Sequence, residues 1–383
     1  MLRFSRLLFF RKNRLPMLFL VALAACRPDP PTLFEKIPAS HAGIRFANTL
    51  TPSDSLNAFT FTNFYNGGGV GMGDFNRDGK PDLFFTGNQE SCRLYLNEGD
   101  FKFSDVTESA GVNTDRWCTG VSVADVNADG WDDLYVCVAA HPTMRQTRNL
   151  LFINQKTASP TFREQAADYG LDYAGFSTQA AFFDEDLDGD LDCFLLNTAP
   201  DLQNPNTLRP VVNDGSHPST DRLFRNEGVG AGGHPVFRDV SKEAGIRYEG
   251  LGLGLVVADL NGDGFPDMYG SNDFISSDIL YLNRGDGTFE NAITAAMGHT
   301  SLFGMGVDAA DVNNDGRVDL LQLDMLPRDN ARLKQMLGAP DFDKKEISIQ
   351  LRYGYHLQYM RNALQLNGLG AGGEEQGVKM PLP

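Results

Sequence analysis

The segment Asp259-Leu260-Asn261-Gly262-Asp263-Gly264-Phe265-Pro266-Asp267 places oxygen-bearing side chains at positions 1, 3, 5 and 9 of a loop, with glycine at position 6. A chain can wrap this closely only by turning sharply, and glycine permits the turn because it tolerates positive φ. The same spacing recurs as Asp74-x-Asn76-x-Asp78-Gly79-x-x-Asp82, Asp125-x-Asn127-x-Asp129-Gly130-x-x-Asp133, Asp184-x-Asp186-x-Asp188-Gly189-x-x-Asp192 and Asp311-x-Asn313-x-Asp315-Gly316-x-x-Asp319. Each loop gathers at least three carboxylates. Two unit charges about 4 Å apart repel by about 4 kcal/mol at an effective dielectric of 20. A hard cation that takes about six to eight oxygens, Ca2+, relieves that repulsion. All twenty side chains at positions 1, 3, 5 and 9 are therefore candidate calcium ligands. A plain Asp/Asn/Gly turn is the competing reading of any one loop, but five copies argue against it for the set.

An EF-hand fails on two counts. Its loop needs a bidentate Glu at position 12, where these loops carry Phe85, Val136, Leu195, Gly270 and Gln322. Its flanks should be helical, yet Gly-Val-Ser-Val-Ala (120–124) precedes one loop and Leu-Tyr-Val-Cys-Val (134–138) follows it. Strands on both sides make each loop the turn of a β-hairpin. After each hairpin comes a strand ending in Asn: Leu94 to Asn97, Leu151 to Asn154, Leu223 to Asn226, Leu280 to Asn283 and Leu364 to Asn367. A Phe with an acid close behind follows most of these, as in Phe103 with Asp105, Phe162 with Glu164, Phe237 with Asp239 and Phe289 with Glu290. Loop starts lie 51, 59, 75 and 52 residues apart. Four short strands per unit at that period predict an all-β chain, a β-propeller of four-stranded blades with calcium-binding hairpin loops.

Glycine-rich runs such as 67–73 and 250–254 lead into the loops. A dinucleotide fingerprint would need a helix directly after the glycines, and a hairpin follows instead. Close strand packing near a propeller axis accounts for them. Two units are stretched, around Thr198 to Thr220 and Met325 to Met360; Arg328 to Leu337 reads as a short helix. Insertions on a rigid scaffold often carry recognition, so both are candidate partner surfaces. After Asn367 the repeat calls for another turn and unit, but an atypical tail, 368–383, follows. The propeller is therefore expected to be incomplete at the C-terminus, with an open sheet edge.

The chain is acidic, at −17, with the excess concentrated in the loops, and no basic face for nucleic acid is visible. Residues 1–25 are basic and then apolar, too short to span a bilayer, and read as a signal peptide. Leu23-Ala24-Ala25-Cys26 resembles the bacterial lipobox. That resemblance implies cleavage before Cys26, lipidation of its sulfur, and a membrane lipoprotein facing outward at the outer membrane or cell surface. Residues 26–45 form the tether, 46–325 the propeller repeats, and 326–367 an insertion and the start of a further blade. Cys92, Cys118, Cys137 and Cys193 allow three disulfide connectivities, or buried free thiols.

The loops resemble FG-GAP/VCBS repeats, the calcium-bearing blades also found in integrin α-chain propellers, with Phe303-Gly304 matching the FG element; Phe85-Thr86-Gly87-Asn88 departs from the GAP element. Tyr65-Asn66-Gly67-Gly68-Gly69-Val70, Gly87-Asn88 and Arg116-Trp117-Cys118-Thr119-Gly120 resemble lipid-anchored proteins of the cartilage acidic protein/UnbV-like group. The resemblance implies an extracellular calcium-binding propeller without established catalysis. The expected function is recognition or adhesion toward a protein or glycan ligand. A polysaccharide lyase or hydrolase on a calcium propeller is the alternative, although no catalytic constellation is visible: the sequence has no His-Glu-x-x-His, no Gly-x-Ser-x-Gly and six scattered histidines. Arg284-Gly285-Asp286 spells an integrin-binding tripeptide, but it falls where the repeat calls for Asn-x-Gly-Asp-Gly.

Overall fold

The computed structural model describes residues 33–139, 146–198, 207–325 and 344–368, with isolated positions between 325 and 344. The signal peptide, Cys26, the first part of the tether, nearly all of the tail and most of the helix expected at Arg328 to Leu337 lie outside the described residues.

Five blades follow one another along the chain. Blade 1 is β1 (Val70–Gly73), β2 (Asp82–Phe85), β3 (Arg93–Gly99) and β4 (Lys102–Asp105). Blade 2 is β5 (Cys118–Ala124), β6 (Asp133–Val138), β7 (Leu150–Asn154) and β8 (Phe162–Glu164). Blade 3 is β9 (Ser177–Phe183), β10 (Asp192–Asn197), β11 (Arg222–Val229) and β12 (Pro235–Asp239). Blade 4 is β13 (Gly252–Ala258), β14 (Asp267–Asn272), β15 (Ile279–Asn283) and β16 (Phe289–Asn291). Each is an antiparallel sheet in sequence order, as the alternating runs and short turns predict. β17 (Thr300–Ser301) pairs in parallel with β20 (Gln358–Tyr359). The fifth blade has three strands: β18 (Gly304–Ala310), β19 (Asp319–Asp324) and β21 (Ala363–Gln365). Residues 363–365 thus complete the fifth sheet as far as its third strand.

The first strands of successive blades pack side by side: β1 on β5, β5 on β9, β9 on β13, and β13 on β18. Here the glycines are required. A Cβ on Gly69 would sit 3.1 Å from the Thr119 carbonyl oxygen, and one on Gly120 would strike the Thr178 carbonyl. The core consists of apolar layers between blades. Phe84 and Leu94 of blade 1 meet Leu134 and Phe152 of blade 2, and Tyr135 and Leu151 meet Leu195 and Phe224 of blade 3. Phe194 and Leu223 meet Met268 and Tyr281 of blade 4, and Tyr269 and Leu280 meet Leu320 of blade 5.

That order stops at blade 5. Leu364 is 53% exposed, whereas Leu94, Leu151, Leu223 and Leu280 at the same repeat position are 0–4% exposed. Leu321, its cross-strand partner, and nearby Leu323 and Leu366 are also exposed. On blade 1 the corresponding outer side exposes Val70 and Met72, and Phe46 covers part of it by stacking on Phe85. Cys92, Cys118, Cys137 and Cys193 are free, buried thiols, so the disulfide alternative does not apply to these four.

Candidate metal centres

The loops repeat at the level of single hydrogen bonds. The position 1 carboxylate accepts the position 5 N–H on one oxygen and the position 6 glycine N–H on the other. In the second loop these are Asp129 N–H at 2.9 Å and Gly130 N–H at 2.6 Å, both to Asp125. Position 3 also accepts the position 5 N–H, and position 5 accepts the position 7 N–H, as in Trp131 N–H to Asp129 at 3.1 Å. Equivalent bonds occur in the loops starting at Asp74, Asp184, Asp259 and Asp311. The position 6 glycines all have positive φ, from 83° to 99°.

Position 4 is left-handed too: Arg77, Ala128, Leu187, Gly262 and Asn314 have positive φ. The sequence signals this only at Gly262 and Asn314, since residues with a larger Cβ environment rarely adopt it. With two left-handed residues, each loop curls its side-chain oxygens inward. In the third loop, carboxylate oxygens of Asp184, Asp186 and Asp188 lie within 4.8 Å of one another. The other loops carry Asn at position 3, so a neutral amide oxygen stands where Asp186 places a charge.

The sequence treats position 9 as one more ligand, and the structure gives it a second task. Asp82, Asp133, Asp192, Asp267 and Asp319 are buried. One oxygen accepts the N–H of loop position 2 and the other accepts the N–H of the Asn ending the third strand. For Asp133 these are Val126 N–H at 3.1 Å and Asn154 N–H at 2.8 Å. Both bonds recur in the other four loops. Burial pushes Asp82 up to about 6 and Asp133 and Asp192 up to about 7, against the pull of those N–H donors. Each carboxylate oxygen retains a further lone pair for a cation.

The recurring Asn ties neighbouring blades together. Asn154 Nδ2 donates to the Phe75 carbonyl of blade 1, Asn283 Nδ2 to the Glu185 carbonyl of blade 3, and Asn367 Nδ2 to the Leu260 carbonyl of blade 4. Each acceptor is position 2 of the preceding blade's loop. Glu185 adds a buried ion pair with Arg225, which also reaches the Gly287 carbonyl of blade 4. The acid behind the Phe holds the following turn in blades 1 to 3, where Asp239, for example, accepts from both Ser241 N–H and O–H; in blade 4 Asn291 does so, accepting Ile293 N–H. Arg284 and Asp286 are engaged locally, with Glu290 and with Thr288.

The donor set is all oxygen, largely anionic and preformed in geometry, which fits a hard divalent cation rather than a thiolate- or imidazole-seeking metal. Basic side chains stand at position 5 in three loops: Lys80 on Asp78, Lys156 on Asp129 and Arg317 on Asp315. The third loop has no such partner on Asp188 among the described residues, and Asp190 adds to its acidity. Burial and the neighbouring loop carboxylates push Asp190 up to about 6.

Blades wound in sequence order, each opened by an aspartate-lined hairpin, define a repeat-built β-propeller. The chain carries two FG-GAP-like repeat matches, at residues 74–136 and 259–321. It is similar to cartilage acidic protein 1 of Mus musculus, 27% identical over 237 residues, covering 59% of this chain and 32% of that protein. The Homo sapiens protein is 28% identical over 240 residues, covering 59% and 31%. The chain thus spans about a third of the length of these relatives. Among solved structures, it is similar to an Agrocybe aegerita lectin described as recognising non-reducing terminal N-acetylglucosamine (TM-score 0.30, 16% identity, 66% of this chain and 74% of that one). A putative exo-beta-1,3-galactanase from Bifidobacterium bifidum is similar at TM-score 0.34 and 12% identity, over 66% and 80%.

Proposed function

We propose that this chain is a membrane-anchored, extracytoplasmic recognition module, stapled by calcium, that presents its inserted segments to a protein or glycan ligand. The observation carrying the reading is that the two insertions meet on one side of the propeller. Val211 N–H of the first bonds the Tyr353 carbonyl of the second at 2.9 Å, and His356 N–H of the second bonds Ser277 Oγ of blade 4 at 2.8 Å. Both insertions follow the second strand of a blade, so antiparallel topology puts them at the end opposite the aspartate loops. One end is thus braced by metal loops and the other carries the inserted segments, the arrangement expected of a scaffold that displays a binding surface.

Calcium acts here as a staple. At ten times Kd, mass action contributes about 1.4 kcal/mol per site, roughly 7 kcal/mol for five independent sites. That is comparable to a domain's whole net stability of about 5–15 kcal/mol. The anchor is the lipidated Cys26. Isothermal titration of chelator-treated protein, paired with thermal melting, tests the staple: uptake of several Ca2+ and a higher melting temperature are expected. Equal melting with and without calcium, together with no uptake, overturns it. Loss of membrane fractionation in Cys26→Ser tests the anchor.

A further inference from the structure

The chain ahead of blade 1 repeats a join that the propeller makes three more times. Between blades, the Phe of a fourth strand is followed eight residues on by a left-handed glycine: Phe103 by Gly111, Phe162 by Gly170 and Phe237 by Gly245. Each glycine lies against a carbonyl of the next blade's fourth strand. An added Cβ would sit 3.4 Å from the Phe162 oxygen, 2.5 Å from that of Phe237 and 2.6 Å from that of Phe289. Gly43, with φ 76°, lies in the same way against the Phe103 carbonyl of blade 1, at 2.7 Å. Its neighbours match too, since Ala42-Gly43-Ile44-Arg45-Phe46 parallels Ala244-Gly245-Ile246-Arg247-Tyr248. Phe34-Glu35 begins nine residues ahead of Gly43, as Phe289-Glu290 begins nine ahead of Gly298. Residues 33–37 thus carry the sequence of a fourth strand. Leu33 and Phe34 lie in none of the sheets described above and are 92% and 85% exposed, whereas Phe162, Phe237 and Phe289 are buried.

Blade 5 is the complement. Among the described residues its sheet stops at a third strand, β21. Val312, Leu321 and Leu364 are exposed on it, where their counterparts Leu260, Tyr269 and Leu280 of blade 4 are buried under blade 5. Its own blade 1 therefore does not cover them. The hydrogen-bond ties show the same gap. Asn154, Asn283 and Asn367 each use Nδ2 twice, on the position 8 carbonyl of their own loop and on the position 2 carbonyl of the preceding blade. Among the described residues Asn97 makes only the first bond, to Pro81 at 2.9 Å, and the position 2 carbonyl of blade 5, that of Val312, receives no such Asn.

We infer that two copies of the chain join head to tail: residues 33–37 of one copy add to β21 of another as the fourth strand of its blade 5, and blade 1 of the first packs over the exposed leucines of the second. A sheet edge is a template for such strand addition. The contact continues the blade-to-blade interface that each chain already makes four times. In the other blades the Phe stands opposite the Asn ending the third strand. That register sets Phe34 opposite Asn367 and Lys36 opposite Gln365, and it brings Asn97 of one copy to the Val312 carbonyl of the other. Head-to-tail contacts build rings or open chains according to the rotation per copy.

The test is sedimentation velocity on the full calcium-loaded chain over about 1–100 μM, where an interface of micromolar affinity titrates. Cys26→Ser in every sample keeps a lipid from driving association. A species larger than the monomer is expected, growing with concentration, its association constant falling at least about tenfold in Phe34→Asp and in Leu364→Asp. Both positions are exposed, and unchanged melting temperatures confirm that the variants fold. Chains bearing Lys36→Cys and Gln365→Cys, mixed under mild oxidation, should cross-link to each other; Cys92, Cys118, Cys137 and Cys193 are buried and do not compete. A monomer at every concentration overturns the proposal, as does association unchanged in both folded variants. A chain carrying both new cysteines that bridges only within itself overturns it too, by showing closure inside one copy. Association that appears only after residues 369–383 are removed does the same, by assigning the edge to the chain's own tail.

Discussion

Alanine at Asp133 and at Asp129, one at a time, separates the two jobs performed within one loop. Asp133 accepts Val126 N–H at 3.1 Å and Asn154 N–H at 2.8 Å in the buried interior. Asp133→Ala leaves both donors unmet, at roughly 1–3 kcal/mol each. Part of this is returned, because burial raises the carboxyl to about 7 and an ionised Asp133 is itself costly near neutrality. A net loss of about 2–4 kcal/mol is expected, present in chelator as well as in calcium. Asp129 instead accepts Trp131 N–H and pairs with the half-exposed Lys156 at 3.0 Å. Such pairs contribute about 0–1 kcal/mol, so Asp129→Ala should change stability in chelator by no more than about 1 kcal/mol. In calcium it additionally forfeits the site's share, about 1.4 kcal/mol at ten times Kd. Urea denaturation followed by fluorescence, in calcium and in chelator, reads both numbers. The division of labour is refuted if Asp133→Ala costs under about 1 kcal/mol in chelator, or if the Asp129→Ala loss does not grow when calcium is added.

Leu151 and Leu364 hold the same repeat position in opposite surroundings, 0% and 53% exposed. Leu151→Ala should cost about 2–5 kcal/mol and Leu364→Ala less than about 0.5 kcal/mol, while Leu364→Glu should reduce any self-association seen by sedimentation. Arg225→Ala strands the buried Glu185 and should destabilise by about 3–5 kcal/mol; Arg225→Met with Glu185→Leu should recover most of that in the same denaturation assay. Asp221 and Asp278 are buried away from the aspartate loops, and burial pushes both up to about 7. Their folded values lie above the unfolded one, so the native state binds more protons, and stability rises as pH falls from 8 to 6, by about 1 kcal/mol per group. Asp221→Asn with Asp278→Asn should flatten that slope; an unchanged slope would show that other groups carry it.

The apolar face of blade 5 shows what repetition decides and what it leaves open. Repetition makes Leu364 an equivalent of Leu151, but only the arrangement of blades reveals that nothing described here packs over it. The position 9 aspartates make the same point. Their spacing reads as a ligand position, and their burial between strands makes them clasps as well.

The sequence alone determined the hairpins, the period and the oxygen-lined loops, because those depend on contacts closed within nine residues: Asp125 meets Gly130 five positions on. Even there, the left-handed turn at Ala128 was hidden, since alanine advertises no such preference. Tertiary structure decided how the blades are tied, as where Asn283 finds the Glu185 carbonyl 98 residues earlier. It also decided where the second insertion docks, as where His356 finds Ser277 of blade 4, 79 residues earlier. Local spacing encodes turns because the chain has few ways to bend over so short a span. Distant partners are chosen by the packing of whole sheets, which no short window of residues contains.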